Sequence, residues 1–77
     1  MASSIYLSRM TGAQIQAIRR RLKLSHAQFA RLLATSERSV YRWESGAWRI
    51  PLVFGMLATL WDRHPRIMEA IRAAGEG

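Results

Sequence analysis

The chain has 77 residues, a formal net charge of +7, two histidines and no cysteine. A chain of this length forms one small domain that hides about 60% of its unfolded surface, which excludes a large enzyme-type cleft. The lack of cysteine excludes disulfides and thiolate metal sites, and two histidines far apart in sequence make a poor zinc ligand set. The sequence therefore predicts a single domain over residues 1–77 that is not an enzyme and needs no cofactor or metal.

The positive charge is unevenly distributed along the chain. Residues 1–49 hold nine basic groups and two carboxylates, whereas residues 50–77 hold three of each. Most of the excess charge is arginine, whose guanidinium group can bind phosphate oxygens in a bidentate manner. A basic but inert surface is the alternative interpretation. The two parts of the chain are therefore expected to have different roles.

The sequence also bears on where the protein works. No apolar run approaches the ~18 residues that a membrane-spanning helix requires. The first residues, MASSIYLSRM, lack the early positive charge and the apolar core of a signal peptide. We therefore expect a cytoplasmic protein that has no membrane partner.

Capping patterns and apolar spacing predict five short helices, and the first two begin with the same pattern. Thr11 and Ser25 each begin the pattern Ser/Thr-x-x-Gln, which is a capping box. The helices that follow are expected over about residues 12–22 and 26–33. On a helical wheel Arg19 lies about 40° from the apolar stripe of the first helix. Arg19 should therefore be partly buried.

A third helix is predicted over about residues 37–45. Ser36 is suited to cap its start, and Gly46 readily adopts the left-handed conformation that ends a helix. The helical wheel places Val40 and Trp43 toward the core and the arginines of this helix toward solvent.

Glu44 lies at the edge of the buried face of the third helix, as Arg19 does in the first helix. A half-buried carboxylate without a partner is costly, whereas an exposed pair contributes under about 1 kcal/mol. We therefore predict that Arg19 and Glu44 form a structural ion pair.

Two further helices are predicted over about residues 51–62 and 65–74, separated by a His-Pro step. The apolar residues of the fourth helix spread over roughly 200° of the wheel, which is more than one small core covers. Residues 3–8, SSIYLS, are compatible with a short strand or with an extended arm.

The second and third helices, joined by a three-residue turn, have the arrangement in which a helix enters the major groove of DNA. The segment LSHAQFARLLATSERSVYRWESGAWRIP, residues 24–51, resembles the Cro/CI-type helix-turn-helix proteins, also called the XRE family. The resemblance covers roughly residues 11–62 and depends on a set of positions: Arg19, Leu24, Ser25, Phe29, Ala30, Leu33, Ser36, Val40, Glu44, Gly46 and Pro51. It implies an all-α, compact, five-helix, lambda-repressor-like domain.

The sequence departs from the family in the turn between the two helices. Ala34 stands where the family usually has glycine, and Thr35 where it usually has a small aliphatic residue. A left-handed conformation at Ala34 would cost about 1 kcal/mol, which does not exclude the motif. A turn of a different shape is the alternative.

The resemblance implies that the third helix reads bases and that the second lies across the phosphates. The base-reading positions correspond to Glu37, Arg38 and Arg42. Arginine suits the O6 and N7 acceptors of guanine, and a carboxylate suits the amino group of cytosine. For Glu37 a purely electrostatic role at the helix start is an equal alternative, and for the arginines a phosphate contact is the alternative.

Phosphate contacts are expected from a rim of six residues: His26, Ser36, Ser39, Tyr41, Ser45 and Arg49. Trp48 follows the third helix and is expected to pack inward, with a contact to a DNA sugar as the alternative.

A domain that places one helix in one groove touches few base pairs, so dimerisation on a two-fold symmetric site increases its specificity. The surplus apolar surface of the charge-neutral C-terminal part, including the fifth helix, suits such an interface. The residues expected there are Leu52, Phe54, Met56, Trp61, Ile67, Met68 and Ile71. The alternative is that the fifth helix merely covers the fourth.

These expectations describe a homodimeric transcriptional repressor that binds an inverted repeat in double-stranded DNA and is nucleoid-associated when bound. The resemblance extends to small regulators of phage and mobile-element operons, including antitoxins and anti-CRISPR-associated regulators, which repress their own promoters. The alternative function is a protein-interaction adaptor on the same fold. Binding of a protein partner is possible with either function. An RNA-binding protein or a nuclease would need an aromatic platform on an open sheet or a carboxylate and histidine cluster, which the sequence does not indicate.

Overall fold

Side-chain caps and left-handed residues set the limits of the first three helices. The computed structural model describes the backbone of residues 10–76 and the side chains of residues 10–74. Over these residues it contains five helices: α1 (Gly12–Arg21), α2 (His26–Leu32), α3 (Glu37–Ser45), α4 (Leu52–Arg63) and α5 (Pro65–Glu76). The predicted all-α, five-helix fold is confirmed. The segment 3–8 lies outside the described residues.

Both predicted capping boxes are present. The Thr11 hydroxyl accepts a hydrogen bond from the Gln14 backbone N–H at 3.1 Å, and the Gln14 side chain accepts one from the Thr11 backbone N–H at 2.8 Å. Ser25 and Gln28 make the same two bonds at the start of α2. Ser36 caps α3 by accepting from the Ser39 backbone N–H. These bonds satisfy N–H groups that have no partner within their own helix.

Three residues with positive φ end the first three helices. Lys23 (φ 58°) follows α1, Ala34 (φ 57°) follows α2 and Gly46 (φ 85°) follows α3. After Lys23 and Ala34 the next N–H groups, of Leu24 and Thr35, bond back across the end of the helix. This is the Schellman pattern, which ordinarily uses glycine. Of the two possibilities left open for Ala34, the left-handed conformation is the one present.

The core lies where α1 packs against α3 and α4, with α2 packed on α3 and α5 packed on α4. Phe29, Ile15 and Val40 are its largest completely buried side chains. Two aromatic pairs tie α4 to the rest: Phe29 with Trp61 at 6.4 Å between ring centroids, and Trp43 with Phe54 at 5.1 Å. Such pairs stabilise beyond the area they bury. Among the described residues there is no helix whose length and apolar character would suit it to cross a bilayer.

Two ion pairs join α1 to its neighbours. Arg19 pairs with Glu44 of α3, as predicted, and Arg21 pairs with Asp62 of α4, which the sequence analysis did not anticipate. Both hydrogen bonds between Arg21 and Asp62 measure 2.9 Å. The hydrogen bonds from Arg21 lower the pKa of the Asp62 carboxyl below its ordinary value, against the opposing effect of partial burial.

The structure corrects part of the predicted dimer interface. Trp61 and Met68 are buried within this chain's own core, so neither presents a surface to a second copy. Phe54 and Ile71 are partly buried against the same core. The error arose because the wheel of α4 shows a wide apolar face but does not show which part α5 covers.

The rest of the predicted interface is on the surface. Leu52, Met56 and Ile67 are exposed, and they are joined by Val53 and Leu60, which the sequence analysis did not include. The apolar surface of α4 and α5 is therefore real but is composed of a partly different set of residues.

Candidate nucleic-acid interface

The outward face of α3 is the centre of the candidate surface. Val40 and Trp43 are buried on the opposite face, as the helical wheel predicted. Glu37, Arg38 and Tyr41 are exposed. Among the described side chains of residues 10–74, those of Glu37 and Arg38 have no hydrogen-bond or ion-pair partner. These side chains are therefore available to an external ligand.

Arg42 lies on the same side of α3 but is held by a neighbour. Its guanidinium carbon is 4.5 Å from the centroid of the Trp48 ring. Trp48 itself is 45% exposed, so the expectation that it packs inward was wrong. The chain turns back at Gly46 and runs beside the last turn of α3, which directs the indole toward Arg42 rather than toward the core.

Behind this face, Glu44 joins three helices through a buried cluster. Arg19 of α1 donates from Nε to Glu44 Oε2 at 2.6 Å and from Nη2 to Glu44 Oε1 at 3.1 Å. A third Arg19 nitrogen donates to the Leu24 carbonyl oxygen at 3.0 Å. The side chains of Arg19 and Glu44 are 9% and 5% exposed. The arginine thus satisfies the carboxylate and a backbone carbonyl in the turn between α1 and α2.

The electrostatics of the cluster favour an ionised Glu44. Burial alone would raise the pKa of this carboxyl. The hydrogen bonds and positive charge of Arg19, with a smaller contribution from His26, outweigh burial and lower the pKa of Glu44 below its ordinary value of 4.5. Glu44 therefore carries its charge at neutral pH.

His26, at the start of α2, is the third member of the cluster. Its Nε2 lies 3.1 Å from Glu44 Oε1, and its ring stacks on Tyr41 with centroids 4.0 Å apart and 14° between the planes. Sequence analysis assigned His26 a phosphate contact and missed both of these interactions. The two residues are 18 positions from each other, and no local pattern links them.

The three serines of the predicted rim all take part in local hydrogen bonds. Ser36 Oγ and Ser39 Oγ are 2.9 Å apart at the start of α3. At its end, Ser45 Oγ donates to the Arg42 carbonyl oxygen at 3.0 Å and accepts from the Ala47 backbone N–H at 3.3 Å. A role in stabilising the ends of α3 is therefore visible for each of them, and their phosphate contacts stay a prediction.

A family model matches residues 1–72, which include all of α1 to α4 and most of α5. The family is described as the antitoxin component of a bacterial toxin-antitoxin system, MqsA. The chain belongs to the MqsA antitoxin family. No curated protein and no solved structure matches the chain.

Antitoxins are among the small regulators that the sequence resembles, and membership of the MqsA antitoxin family agrees with that part of the prediction. The more specific resemblance to XRE proteins stays a prediction. The match includes every residue placed on the candidate surface, from His26 to Arg49.

The MqsA-family chain brings most of the predicted site residues together on and around α3. Glu37, Arg38, Tyr41 and Arg42 lie on the helix, and Arg49 is exposed in the loop that follows. The surface combines arginine side chains with the exposed phenol of Tyr41 and the exposed indole of Trp48, which are carried by α3 and by the loop that follows it. The buried cluster at Glu44 fixes the helix in place.

Proposed function

We propose that this antitoxin is a sequence-specific regulator of transcription that binds double-stranded DNA and inserts α3 into the major groove. The observation that carries the proposal is the orientation of α3: Val40 and Trp43 are buried while Arg38 and Arg42 lie outward. The pair of short helices with an outward, basic second helix is the geometry that helix-turn-helix proteins use.

The chemistry of the outward residues supports base reading. Arg38 and Arg42 suit guanine, whose O6 and N7 form the commonest specific contact with arginine. Glu37, in the first turn of α3, suits the amino group of cytosine, and its position at the positive end of the helix dipole is the competing explanation. Arg49 and the serines of the rim would contact phosphates.

The size of the domain and its exposed apolar surface support the further proposal of a dimer on an inverted repeat. The exposed apolar residues of α4 and α5 are Leu52, Val53, Met56, Leu60 and Ile67. Exposed large apolar side chains in such number are typical of an interaction site, and a two-fold pair would place two α3 helices about one DNA turn apart. Binding across a promoter would then repress by occlusion, and we propose that the antitoxin's own operon is the target.

In vitro selection from random duplex DNA tests the proposal directly, because a groove-reading dimer should enrich an inverted repeat. On the selected site, Arg38→Ala and Arg42→Ala should each lose about 1 to 3 kcal/mol in a mobility-shift titration. Arg49→Ala should weaken all duplexes alike. Arg66→Ala, which removes the same charge from exposed surface on α5, is the matched control and should change little. Equal losses on selected and random DNA for Arg38 and Arg42 would contradict base reading.

The dimer is tested separately by sedimentation without DNA. We expect a dimer at tens of micromolar and expect Met56→Glu to shift it toward monomer, because a charge would then lie within an apolar interface. A wild-type monomer at that concentration contradicts the dimer claim and leaves the DNA-binding claim standing.

The antitoxin description supports a toxin as a second, protein partner. An adaptor that uses α3 against an acidic protein surface is the competing function. Failure to enrich any duplex in the selection, together with binding to the partner toxin that Arg38→Ala abolishes, would favour the adaptor.

A further inference from the structure

Arg42 and Trp48 contact each other through both main chain and side chain. The guanidinium carbon of Arg42 is 4.5 Å from the Trp48 ring centroid, within the ~6 Å range of a cation–π interaction. The Trp48 backbone N–H also donates to the Arg42 carbonyl oxygen at 3.2 Å. Trp48 is therefore hydrogen-bonded to the backbone of Arg42, the same residue whose guanidinium group its indole covers.

The loop that carries Trp48 is itself ordered by hydrogen bonds. Gly46 adopts φ 85° and reverses the chain after α3. Ser45 Oγ donates to the same Arg42 carbonyl and accepts from the Ala47 N–H, so the residues between α3 and Trp48 are tied to the last turn of the helix. Trp48 is thus presented to Arg42 by a defined turn.

The two outward arginines of α3 therefore differ in how strongly their side chains are restrained. Arg38 is exposed and makes no contact of this kind within the described part of the chain, whereas Arg42 is half-buried under the indole. A cation–π contact uses the charge of the guanidinium group and consumes none of its N–H donors. The donors of Arg42 therefore stay available while the side chain is restrained.

We infer that Trp48 is a positioning residue that orients the Arg42 guanidinium for bidentate contact with guanine, and that it contributes to sequence specificity in this way. The inference rests on the proposed function. A long side chain that is ordered before binding loses less conformational entropy when it binds, so the restraint should tighten the specific complex. It should leave binding to random DNA unchanged, because phosphate contacts need no such orientation.

The test is a double-mutant cycle on the selected duplex and on a random duplex of equal length. Trp48→Leu should weaken specific binding about three- to tenfold and leave random binding unchanged. Trp48→Tyr keeps an aromatic face and should restore most of the lost affinity. In an Arg42→Ala background, Trp48→Leu should cause no further loss, because the residue through which it acts is gone. Base preference at the position read by Arg42 should relax in Trp48→Leu.

Each other result overturns the inference. Additive losses would mean that Trp48 contacts DNA itself, and an unchanged affinity of Trp48→Leu would mean that the indole does not restrain Arg42. If Arg42→Ala shows no selective loss, the inference fails, and Arg38→Ala then shows whether the proposed function survives without it. If neither arginine variant shows a selective loss, it is the proposed function that fails.

A measurement on the free protein checks the contact independently of DNA. The Arg42 Nε–Hε NMR resonance should carry an upfield ring-current shift in the wild type that disappears in Trp48→Leu and persists in Trp48→Tyr. A resonance at the ordinary arginine position in the wild type would overturn the inference.

Discussion

The two junctions that α1 makes, with α3 and with α4, are closed by the same chemistry in different surroundings. Arg19 and Arg21 are two residues apart, and each holds a carboxylate through two hydrogen bonds. At the α3 junction the side chains of Arg19 and Glu44 are 9% and 5% exposed, whereas at the α4 junction those of Arg21 and Asp62 are 59% and 25% exposed. The two ion pairs differ in burial. In the buried pair, neither charge can lose its partner without a large cost, whereas in the exposed pair water can solvate either charge.

The glycines at these junctions show the same contrast. A Cβ added at Gly12 of α1 would collide with the Trp43 carbonyl oxygen and lie 2.7 Å from that of Glu44. A Cβ added at Gly55 of α4 would lie 3.7 Å from the nearest atom, Cβ of Met10, which is ordinary contact. The junction that orients α3 is therefore tight, and the junction that attaches α4 has room.

The largest effect should come from Glu44→Ala. It leaves the Arg19 charge buried without its partner, which typically costs about 3 to 5 kcal/mol and is comparable to the whole stability of a small domain. Urea unfolding followed by circular dichroism measures it. The double variant Arg19→Met/Glu44→Leu should recover much of the loss, because no unpaired charge remains. A Glu44→Ala protein as stable as the wild type would contradict the distinction between the junctions.

A smaller effect is expected from Gly12→Ala, at about 1 to 3 kcal/mol of destabilisation, because backbone atoms of α3 must move to admit the methyl group. Gly55→Ala is the matched substitution at the other junction. It should be neutral or stabilise by up to about 1 kcal/mol, since alanine is the better helix former and the space exists. Thermal unfolding of the two variants compares them, and equal destabilisation would remove the contrast.

Acid should act more through the α3 junction than through the α4 junction. The pKa of Glu44 is lowered in the folded state, so its stabilising contribution is present above the ordinary value of 4.5 and is lost as pH falls through the lower folded pKa. Asp62 has the same sign. Urea midpoints measured from pH 7 downward should fall in the wild type below about pH 4.5. The Asp62→Asn variant should show most of the same fall in urea midpoint. If the fall disappears in this variant, the acid sensitivity arises at the α4 junction, which would contradict the prediction.

The smallest effect should come from Asp62→Asn at neutral pH. The pair it breaks is solvent-exposed on the arginine side, so we expect a shift in urea midpoint close to the reproducibility of the measurement. High salt should reduce even that shift, because exposed charges are screened. A loss approaching that of Glu44→Ala would contradict the role assigned to burial.

The sequence predicted best what depends on one helix at a time. Helix limits follow from Thr11, Ser25, Ser36 and Gly46, which act through their immediate neighbours. Even the pair of Arg19 with Glu44 was predictable, because each residue lies beside the buried face of its own helix and neither tolerates burial alone.

What the sequence did not predict depends on how the elements are placed relative to one another. Arg21 and Asp62 lie on polar faces where nothing requires a partner, so their contact has no local signal. Whether Trp61 and Met68 face a second copy or the core is decided by where α5 packs on α4. The environment of Trp48 is decided by the path of the loop after Gly46.

The two left-handed residues that carry side chains, Lys23 and Ala34, have a consequence for evolution of this domain. Each holds a conformation that costs an L-residue about 1 kcal/mol and costs glycine little. Both side chains are exposed, so exchanging either residue for glycine would relieve strain without touching a buried atom or any outward side chain of α3. Thermal stability can therefore be varied at these two positions without changing the outward face of α3.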